Sequence, residues 1–447
     1  MRTDVVVVGA GPAGLILAWL LQRAGVATTV IESQPREELG TLPKAGIVEY
    51  RTVQLLTAEG LGGTVLEFAA ENHRCEFRTA DESVLVDYGA LTGGRPHYVF
   101  PQHALVGRVA TSLLERGGEV LFGHRVTGVE QDADGVTVHA TGPDGPRALE
   151  AEVVIGCDGA GSAVARSLAD VVTQHDRRHP QRFLVISAAM PPLVDHTIYA
   201  AHPRGYAAHM RRLPEVTRLY LEVPGDQSPA DWPHDRIRDE VGRRLGASLD
   251  GVELPEVDVL DLRTRVTTPM QHGRVFLVGD AAHLITPAGG KGMNLAIFDA
   301  VELAHGLIER FGPEKDPART ERYSATRLPA IWRTQAFSDW FLRIMTAPPG
   351  AGDARDGFGL GLREAELAIE VVDAWQGRGI GRRLLAAVAV LGREQCYSRL
   401  VADVLTENTG MRVLLASVLP ILAVETDGYE TTLTADLRAG TPAFVAA

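Results

Sequence analysis

The feature that most constrains the fold is a run of four valines, residues 5–8, followed by Gly9, Gly11 and Gly14. An apolar run that ends in Gly-x-Gly-x-x-Gly predicts a buried strand, a tight turn and a helix. The first glycine permits the turn, the second lets a pyrophosphate approach the backbone, and the third lets the helix pack on the strand. Glu32 ends the next predicted strand, where a carboxylate can bind a ribose hydroxyl. We therefore predict a Rossmann-like domain that binds a dinucleotide.

The composition is that of an ordinary globular enzyme with more than one domain. The chain has 447 residues, of which 45% are hydrophobic and 23% charged, and its net charge is −13. Nucleic acids and anionic membranes require a basic face, so we expect neither as a partner. Three cysteines are too few and too scattered for a disulfide framework or a metal site. Because no apolar run reaches the ~20 residues of a membrane span, we expect a cytoplasmic protein.

Changes in periodicity divide the chain into four predicted segments. Residues 1–185 carry the strand and helix pattern of the nucleotide-binding domain, and residues 186–270 alternate like the strands of a sheet that covers a pocket. Residues 271–350 return to the first domain and continue as two long helices, predicted at 292–311 and 320–344. Residues 351–447 follow a Pro- and Gly-rich linker and form a distinct C-terminal segment.

A second motif narrows the dinucleotide to FAD. Asp280 follows a valine-rich strand, and Gly292, Met293 and Asn294 begin the first long helix. A carboxylate at Asp280 can hold ribityl hydroxyls, and the positive end of the helix can face the flavin. These residues resemble the segment that holds the flavin in flavoprotein hydroxylases. Asp158 and Gly159 resemble a further motif that these enzymes place near FAD and the nicotinamide cofactor, although its usual arginine comes one position later.

Over residues 1 to about 367 the chain resembles the para-hydroxybenzoate hydroxylase family, with specific matches at 198–205, 269–274 and 322–324. The resemblance implies an FAD-dependent monooxygenase that hydroxylates 4-hydroxybenzoate, or a substituted hydroxybenzoate, ortho to the phenol through a C4a-hydroperoxyflavin. NADH or NADPH and O2 would be consumed. After Glu32, Arg36 could bind the 2′-phosphate of NADPH, but the two acids that follow it oppose this, which favours NADH. The implied fold is α/β: a Rossmann-like domain of glutathione-reductase type, an inserted mixed β-sheet domain, a helical segment and a short tail. The family also implies a homodimer.

The resemblance assigns roles to individual side chains of the substrate pocket. Arg212 and Tyr220 match the residues that bind the substrate carboxylate, and Arg218 matches the arginine that faces the flavin. Tyr199 matches the tyrosine that takes the phenolic hydrogen bond. His73 matches the histidine at the solvent end of a proton relay. The resemblance thus implies substrate binding by the two arginines and two tyrosines, and catalytic roles for Tyr199 and His73.

Further matches and two departures complete the implied site. Pro287 matches a proline whose carbonyl lies beside the ring, and Lys44 and Gln102 match residues around FAD. Met210 replaces a pocket serine, which makes that wall more apolar. The C-terminal tyrosine of the family relay has no counterpart at the expected spacing, so Tyr397, another group or water would have to replace it.

Residues 366–436 resemble the second half of a Gcn5-related N-acetyltransferase, whose Gln-x-x-Gly-x-Gly loop falls at 376–381. Since only about half of such a domain is recognisable, we favour a structural cap over an acetyl-CoA-binding enzyme. Three hypotheses stay open at this point: an aromatic hydroxylase, a bifunctional protein whose tail binds acetyl-CoA, and an NAD(P)H oxidase that has lost hydroxylation.

Overall fold

The structure is a computed structural model that describes residues 2–39, 45–67, 69–79, 83–346, 385, 389, 398–405, 409–427 and 430–438. The chain divides into two compact units, residues 1–362 and 363–447, which are described separately. Within the described residues, no helix is both long and apolar enough to cross a membrane.

The strands, in chain order, are β1 (Arg2–Val8), β2 (Thr28–Ile31), β3 (Ala45–Val48), β4 (Ala70–Asn72), β5 (Arg74–Arg78), β6 (Ser83–Asp87), β7 (His97–Pro101), β8 (Glu119–Leu121), β9 (Arg125–Gln131), β10 (Val136–Gly142), β11 (Gly145–Gly156), β12 (Thr173–Ala188), β13 (Thr197–His202), β14 (Gly205–Leu213), β15 (Val216–Val223), β16 (Glu256–Thr268), β17 (Gln271–His272), β18 (Val275–Leu277), β19 (His283–Leu284), β20 (Arg399–Leu405), β21 (Ile421–Asp427) and β22 (Glu430–Asp436).

The α-helices are α1 (Pro12–Arg23), α2 (Tyr50–Ala58), α3 (Gly62–Leu66), α4 (Tyr88–Leu91), α5 (Gln102–Glu115), α6 (Ala163–Ser167), α7 (His234–Leu245), α8 (Gly292–Phe311), α9 (Ala318–Glu321), α10 (Tyr323–Met345) and α11 (Thr409–Val418).

The first sheet has the order β17-β18-β11-β1-β2-β8, with β10 beside β11 and β9 beside β10. β1 pairs in parallel with both β11 and β2, which makes it a central strand. Its four valines are at most 4% exposed, as expected for a β-branched run buried on both faces of a parallel sheet. Helices α1 and α8 pack against each other on this sheet. The βαβ arrangement predicted from the glycine motif is therefore present.

The second sheet has the order β19-β16-β12-β15-β14-β13-β5-β6 and is mostly antiparallel. Alternating side chains give it two apolar faces. One face packs against α7 through Leu219 and Leu221. The opposite face packs against the end of α10, where Phe341 and Leu342 lie over Tyr199. This second face positions the substrate pocket.

One predicted boundary falls inside a strand. β12 begins at Thr173 and pairs with β16 from its first residue, so the second sheet starts before position 186. Its first half is polar and largely exposed, so the pattern of apolar residues does not indicate a strand there. By contrast, the first long helix, α8, occupies the predicted residues 292–311.

The C-terminal unit contains a small antiparallel sheet with the order β20-β22-β21. Leu433 and Ala435 from this sheet share an apolar cluster with Leu415 and Val418 of α11. The loop predicted at 376–381 to resemble a coenzyme A site, and Tyr397, lie outside the described residues.

Candidate active site

The glycine motif forms a tight turn between β1 and α1. A Cβ atom on Gly9 would lie 2.4 Å from the carbonyl oxygen of Cys157, and one on Gly14 would lie 2.1 Å from the carbonyl oxygen of Gly9. Gly9 also has a φ of 102°, a region that favours glycine. A Cβ on Gly11 would meet nothing within 4 Å, so the space beside it is open. Two glycines therefore serve packing, and the third leaves room for a ligand next to the helix N-terminus.

Glu32 braces this turn. Its Oε2 accepts a hydrogen bond of 2.7 Å from the backbone N–H of Ala10, and its Oε1 accepts one of 2.8 Å from Gln34. The carboxylate also lines the large cleft that opens above the turn. Its position therefore suits the predicted contact with a ribose.

The cleft has an empty volume of about 1720 Å³. Most of the predicted cofactor residues line it: Gly9, Gly11, Glu32, Gln102, Asp158, Gly159, Asp280 and Met293. Gly14, Gly292 and Asn294 lie in helices beside the cleft without lining it. Lys44 lies outside the described residues.

Several polar residues of the cleft were not predicted from the sequence as cofactor ligands, among them His103, Arg125 and Arg166. The Nδ1 atom of His103 is buried and has no hydrogen-bond partner within the described part of the chain. Arg166 is the displaced arginine of the Asp158-Gly159 motif, but His103 and Arg125 stand in no recognisable motif. Helix α5 and strand β9 bring these two residues to the cleft.

Asp158 caps a helix at the cleft. Its Oδ1 accepts a hydrogen bond of 2.5 Å from the Ser162 hydroxyl, and its Oδ2 accepts one of 2.7 Å from the Ala163 N–H at the start of α6. Burial raises the pKa of Asp158 above its usual value, while these hydrogen bonds oppose the rise. The carboxylate thus fixes the loop that carries Gly159.

A buried ionic network supports the turn that carries Asp280. Asp299 of α8 is fully buried and lies 2.5 Å from the Nε2 of His283 and 2.7 Å from the Nε of Arg327. Its Oδ2 also accepts a hydrogen bond of 3.3 Å from the N–H of Gly279. Burial opposes ionisation of Asp299, but the neighbouring His283 and Arg327 lower the pKa of its carboxyl below the usual value. A charged Asp299 therefore holds the residue next to Asp280 in place.

The side chain of Asn294 is fully used in joining two elements. Its Oδ1 accepts hydrogen bonds from the Glu49 N–H (2.9 Å) and the Thr52 hydroxyl (2.7 Å). Its Nδ2 donates to the carbonyl oxygens of Ile47 (2.8 Å) and Gly290 (3.0 Å). Asn294 therefore locks the N-terminus of α8 onto β3 and α2, and only its backbone N–H is left for a ligand.

These features fit FAD. The open space at Gly11 and the α1 N-terminus, which has no side-chain cap, suit a pyrophosphate. Glu32 suits a ribose, and Asp280 with the N-terminus of α8 suits the ribityl chain and the flavin. Because Gly11, Glu32 and Asp280 line one continuous cleft, a single dinucleotide can contact all three.

The substrate pocket lies between the second sheet and the end of α10. Its empty volume is about 350 Å³. The walls are apolar or aromatic, and the polar groups among the lining residues belong to three tyrosines. The lining residues are Phe183, Tyr199, Tyr206, Met210, Tyr220, Pro287, Ala288, Phe341, Leu342 and Met345.

Arg212 stands next to the Met210 and Tyr220 end of this cavity. It is the extra residue at an irregularity of β14, because Arg211 pairs with Thr217 and Leu213 pairs with Val216. Arg212 is 8% exposed, and both of its terminal nitrogens are buried without a hydrogen-bond partner in the described ranges. Burial, and then the charge of Arg218, lower its pKa from 12.5 to about 10. A buried cationic fork with two unused donors is suited to bind a carboxylate.

Arg218 and Tyr220 share the pocket face of β15, as their alternation predicts. The Nη2 of Arg218 lies 3.9 Å from the Oε2 of Glu256. Burial raises the pKa of Tyr220, although both arginines oppose this. Tyr220 is therefore a neutral hydrogen-bond donor beside Arg212.

Tyr199 lies on the same face of the second sheet as Tyr220, and Ala208 lies between the two tyrosines. The ring of Tyr199 stacks on Phe77, with centroids 5.4 Å apart, and meets the edge of Phe341 at 5.1 Å. Burial raises the pKa of its phenol above the usual value. Pro287 lines the same cavity, and Met210 provides the apolar wall expected from the sequence.

His73 lies apart from these residues. It precedes β5 by one position, four residues from Phe77, the cross-strand neighbour of Tyr199. At ~3.3 Å per residue this separation is about 13 Å. Its side chain is 39% exposed, and its Nε2 lies 3.0 Å from Glu71. Within the described residues, no hydrogen bond joins His73 to Tyr199.

Fold and sites together define a flavin-dependent enzyme with an enclosed aromatic pocket, and comparison with known proteins agrees. A family model described as FAD binding domain matches residues 2–338. The p-hydroxybenzoate hydroxylase of Acinetobacter baylyi is 29% identical over 353 residues, 77% of this chain and 86% of that protein. The 12-dehydrotetracycline 5-monooxygenase/anhydrotetracycline 6-monooxygenase of Streptomyces rimosus is 33% identical over 346 residues, 74% of this chain and 67% of that protein.

A solved structure of a related hydroxylase has a similar fold. Aklavinone-11 hydroxylase, in a ternary complex with FAD and aklavinone, superposes with a TM-score of 0.69 at 27% identity, over 78% of this chain and 70% of that chain. The chain belongs to the FAD binding domain family of FAD-dependent aromatic monooxygenases, and it binds FAD. NAD(P)H is the usual co-substrate of this family.

Proposed function

We propose that the protein hydroxylates 4-hydroxybenzoate, or a substituted hydroxybenzoate, at the carbon ortho to the phenol. The balanced reaction converts the phenol, O2, NAD(P)H and a proton into the catechol, NAD(P)+ and water. The observation that carries this proposal is Arg212, whose two terminal nitrogens are buried without a partner in the described part of the chain. An unpaired buried cation is costly unless an anionic ligand completes it.

Each pocket residue has a separate task in this proposal. Arg212 makes two charge-assisted hydrogen bonds to the substrate carboxylate, and the Tyr220 hydroxyl donates a third. Tyr199 holds the phenol, and the carbonyl of Pro287 lies beside the ring. Arg218 adds positive charge toward the flavin. Bound FAD, once reduced by NAD(P)H, supplies the activated oxygen. The aromatic walls exclude water from the reacting ring.

The size of the pocket favours a small ring. The pocket is narrow and lined mainly by aromatic side chains, which suits a single flat ring better than a fused ring system. Several relatives are named for phenolic acids, among them the p-hydroxybenzoate hydroxylase and a 3-(3-hydroxy-phenyl)propionate/3-hydroxycinnamic acid hydroxylase of Mycolicibacterium smegmatis that is 30% identical. Others are named for tetracyclines, which are larger. The buried arginine favours the acids.

The position of His73 favours a second candidate, an NAD(P)H oxidase that binds the aromatic acid without hydroxylating it. Hydroxylation requires the phenol to lose its proton, and His73 lies about 13 Å along the sheet from the row of Tyr199. If no other group removes the proton, the ring would stay unactivated, and NAD(P)H and O2 would be converted to NAD(P)+ and hydrogen peroxide without catechol.

One experiment separates these candidates. FAD-loaded protein is mixed with 4-hydroxybenzoate and either NADH or NADPH, and nucleotide oxidation, 3,4-dihydroxybenzoate and peroxide are measured together. Near-stoichiometric catechol supports the hydroxylase. Fast oxidation with peroxide as the main product supports the oxidase. If 4-hydroxybenzoate neither stimulates oxidation nor binds, the 4-hydroxybenzoate assignment is wrong.

A further inference from the structure

The pocket presents three tyrosines, and the proposed function uses only two of them. The third, Tyr206 of β14, lines the cavity and is 7% exposed. Its ring packs against Phe183, with centroids 5.3 Å apart. Among the described residues, none forms a hydrogen bond with its hydroxyl. Burial raises the pKa of this phenol well above its usual value, so it is a neutral donor.

The backbone of Tyr206 is held firmly. Its N–H donates a hydrogen bond of 2.7 Å to the Oε2 of Glu222, and its carbonyl oxygen accepts one of 3.2 Å from Nη1 of Arg244. Arg244 is itself buried and paired with Glu240 at 3.0 Å. The phenol is therefore directed into the cavity from a fixed strand position. Since no protein group in the described part of the chain takes its hydrogen bond, the hydroxyl is available to a ligand in the cavity.

Strand register places Tyr206 relative to the other polar groups. Ala208 pairs with Tyr199 on one side and with Tyr220 on the other, so these three form one cross-strand row. Along β14, Met210 and Arg212 follow Ala208 on one side of this row, and Tyr206 lies two residues before Ala208 on the other side. Two residues of a strand span about 6.6 Å. Along β14, Tyr206 is thus farther from Arg212 than is the row of Tyr199, the tyrosine that would hold the phenol.

We propose that the Tyr206 hydroxyl hydrogen-bonds a polar substituent on the substrate ring, at the carbon beside the phenol. The inference rests on the proposed function and names its substrate class: a 4-hydroxybenzoate that carries an amino or hydroxyl group next to the phenol. With the carboxylate between Arg212 and Tyr220 and the phenol at Tyr199, one side edge of the ring faces Tyr206 along β14. Tyr206 is then a specificity-determining residue.

The test compares two ligands of similar shape, 3-amino-4-hydroxybenzoate and 3-methyl-4-hydroxybenzoate. Their Kd values are measured from the change in flavin absorbance on titration into FAD-loaded full-length protein, as wild type and as Tyr206→Phe. We expect wild type to bind the amino ligand about 3- to 10-fold more tightly than the methyl ligand, the range of one hydrogen bond. In Tyr206→Phe the ratio of the two Kd values should fall to about one.

Tyr323→Phe is the matched control. The Tyr323 hydroxyl is also buried, but it donates to the carbonyl oxygen of Leu277 at 3.0 Å, away from the pocket. This variant should keep the wild-type ratio. The comparison of the two ligands on the wild-type protein needs no variant. The proposal can therefore be tested even if Tyr206→Phe folds poorly.

The outcomes separate this inference from the proposed function. Equal affinity of wild type for both ligands, or an unchanged ratio in Tyr206→Phe, overturns the role of Tyr206 even if 4-hydroxybenzoate is hydroxylated. If neither ligand and no unsubstituted hydroxybenzoate perturbs the flavin, the proposed function fails, and the inference fails with it.

Discussion

Arg211 and Arg212 are adjacent in the sequence but face different surroundings. The irregularity of β14 leaves Arg212 unpaired along the strand, where it points its guanidinium into a buried position. Strand irregularities of this kind often re-aim a side chain beside an active site. Charge and composition are the same for both arginines, so only the position on the strand gives Arg212 its proposed role.

This difference predicts the result of a paired substitution. Arg212→Gln removes a charge-assisted donor pair, so the Kd for 4-hydroxybenzoate should rise about 10- to 100-fold. Arg211→Gln removes the same charge from the neighbouring position and should change the Kd by less than about twofold. The Kd values are measured by flavin absorbance. Equal weakening in both variants would show that net charge, and not the Arg212 fork, attracts the ligand.

At the scale of elements, α8 connects the flavin cleft to the rest of the first unit. Its first turn is tied to β3 and α2 through Asn294, and Asp299, later in the helix, reaches back to Gly279. The sequence motif identifies Asp280, but the buried side chain that holds its turn comes from another element. The helix thus carries both the flavin-facing end and its support.

We predict that Asp299→Asn weakens FAD binding. The substitution removes a buried anion beside His283 and leaves the Arg327 guanidinium without its counter-charge, which costs about 3–5 kcal/mol. FAD retention during dialysis should fall at least about tenfold, and the flavin spectrum should shift as its surroundings loosen.

A matched control is Glu302→Gln, three residues later on α8. Glu302 pairs with Arg319 at 2.9 Å in a partly exposed position, so its loss should cost about 1 kcal/mol or less. FAD retention should stay at the wild-type level. Equal FAD loss in both variants would mean that general helix stability, and not the Gly279 turn, controls the cofactor.

At the scale of the whole molecule, stability should depend on a buried histidine in the second sheet. His209 has no exposed surface, and its Nε2 accepts a hydrogen bond of 3.0 Å from the Leu193 N–H. Burial lowers its pKa from 6.5 to about 4. Between these values the unfolded chain binds a proton that the folded chain does not. The free energy of unfolding should therefore fall as the pH drops from 6.5 to about 4.

The expected slope from this one group is at most about 1.4 kcal/mol per pH unit. Chemical denaturation at several pH values measures it, and His209→Gln should flatten the curve in this range. His234→Gln, at an exposed position, should leave the slope unchanged. An unaltered slope in His209→Gln would assign the acid sensitivity to other groups.

The C-terminal unit allows another prediction at this scale. The sequence motifs predict at most about half of an acetyltransferase there, so we expect no saturable binding of acetyl-CoA. Equilibrium dialysis of the full-length protein with labelled acetyl-CoA measures this directly, with FAD as the positive control. Binding near one equivalent per chain would instead support the bifunctional hypothesis.

Several features could be predicted from the sequence because they depend on neighbouring residues. The valine run and its glycines specify a strand, a turn and a helix through local conformation, and α8 begins and ends at the predicted residues. Alternation alone places Arg218 and Tyr220 on one face of β15. The FAD cofactor follows from these local patterns, and the family match supports it.

Other features were decided only by the tertiary structure, because they join residues far apart in the chain. The polar first half of β12 becomes a strand by pairing with β16, which no local apolar pattern signals. Asp299 meets Gly279 only after α8 folds back on the first sheet, and Tyr206 reaches the pocket only because α10 closes over its face of the second sheet. Sequence thus determined the cofactor and the strand and helix pattern, through short-range backbone preferences. Packing decided which buried polar groups were left for a ligand, since burial depends on elements distant in sequence.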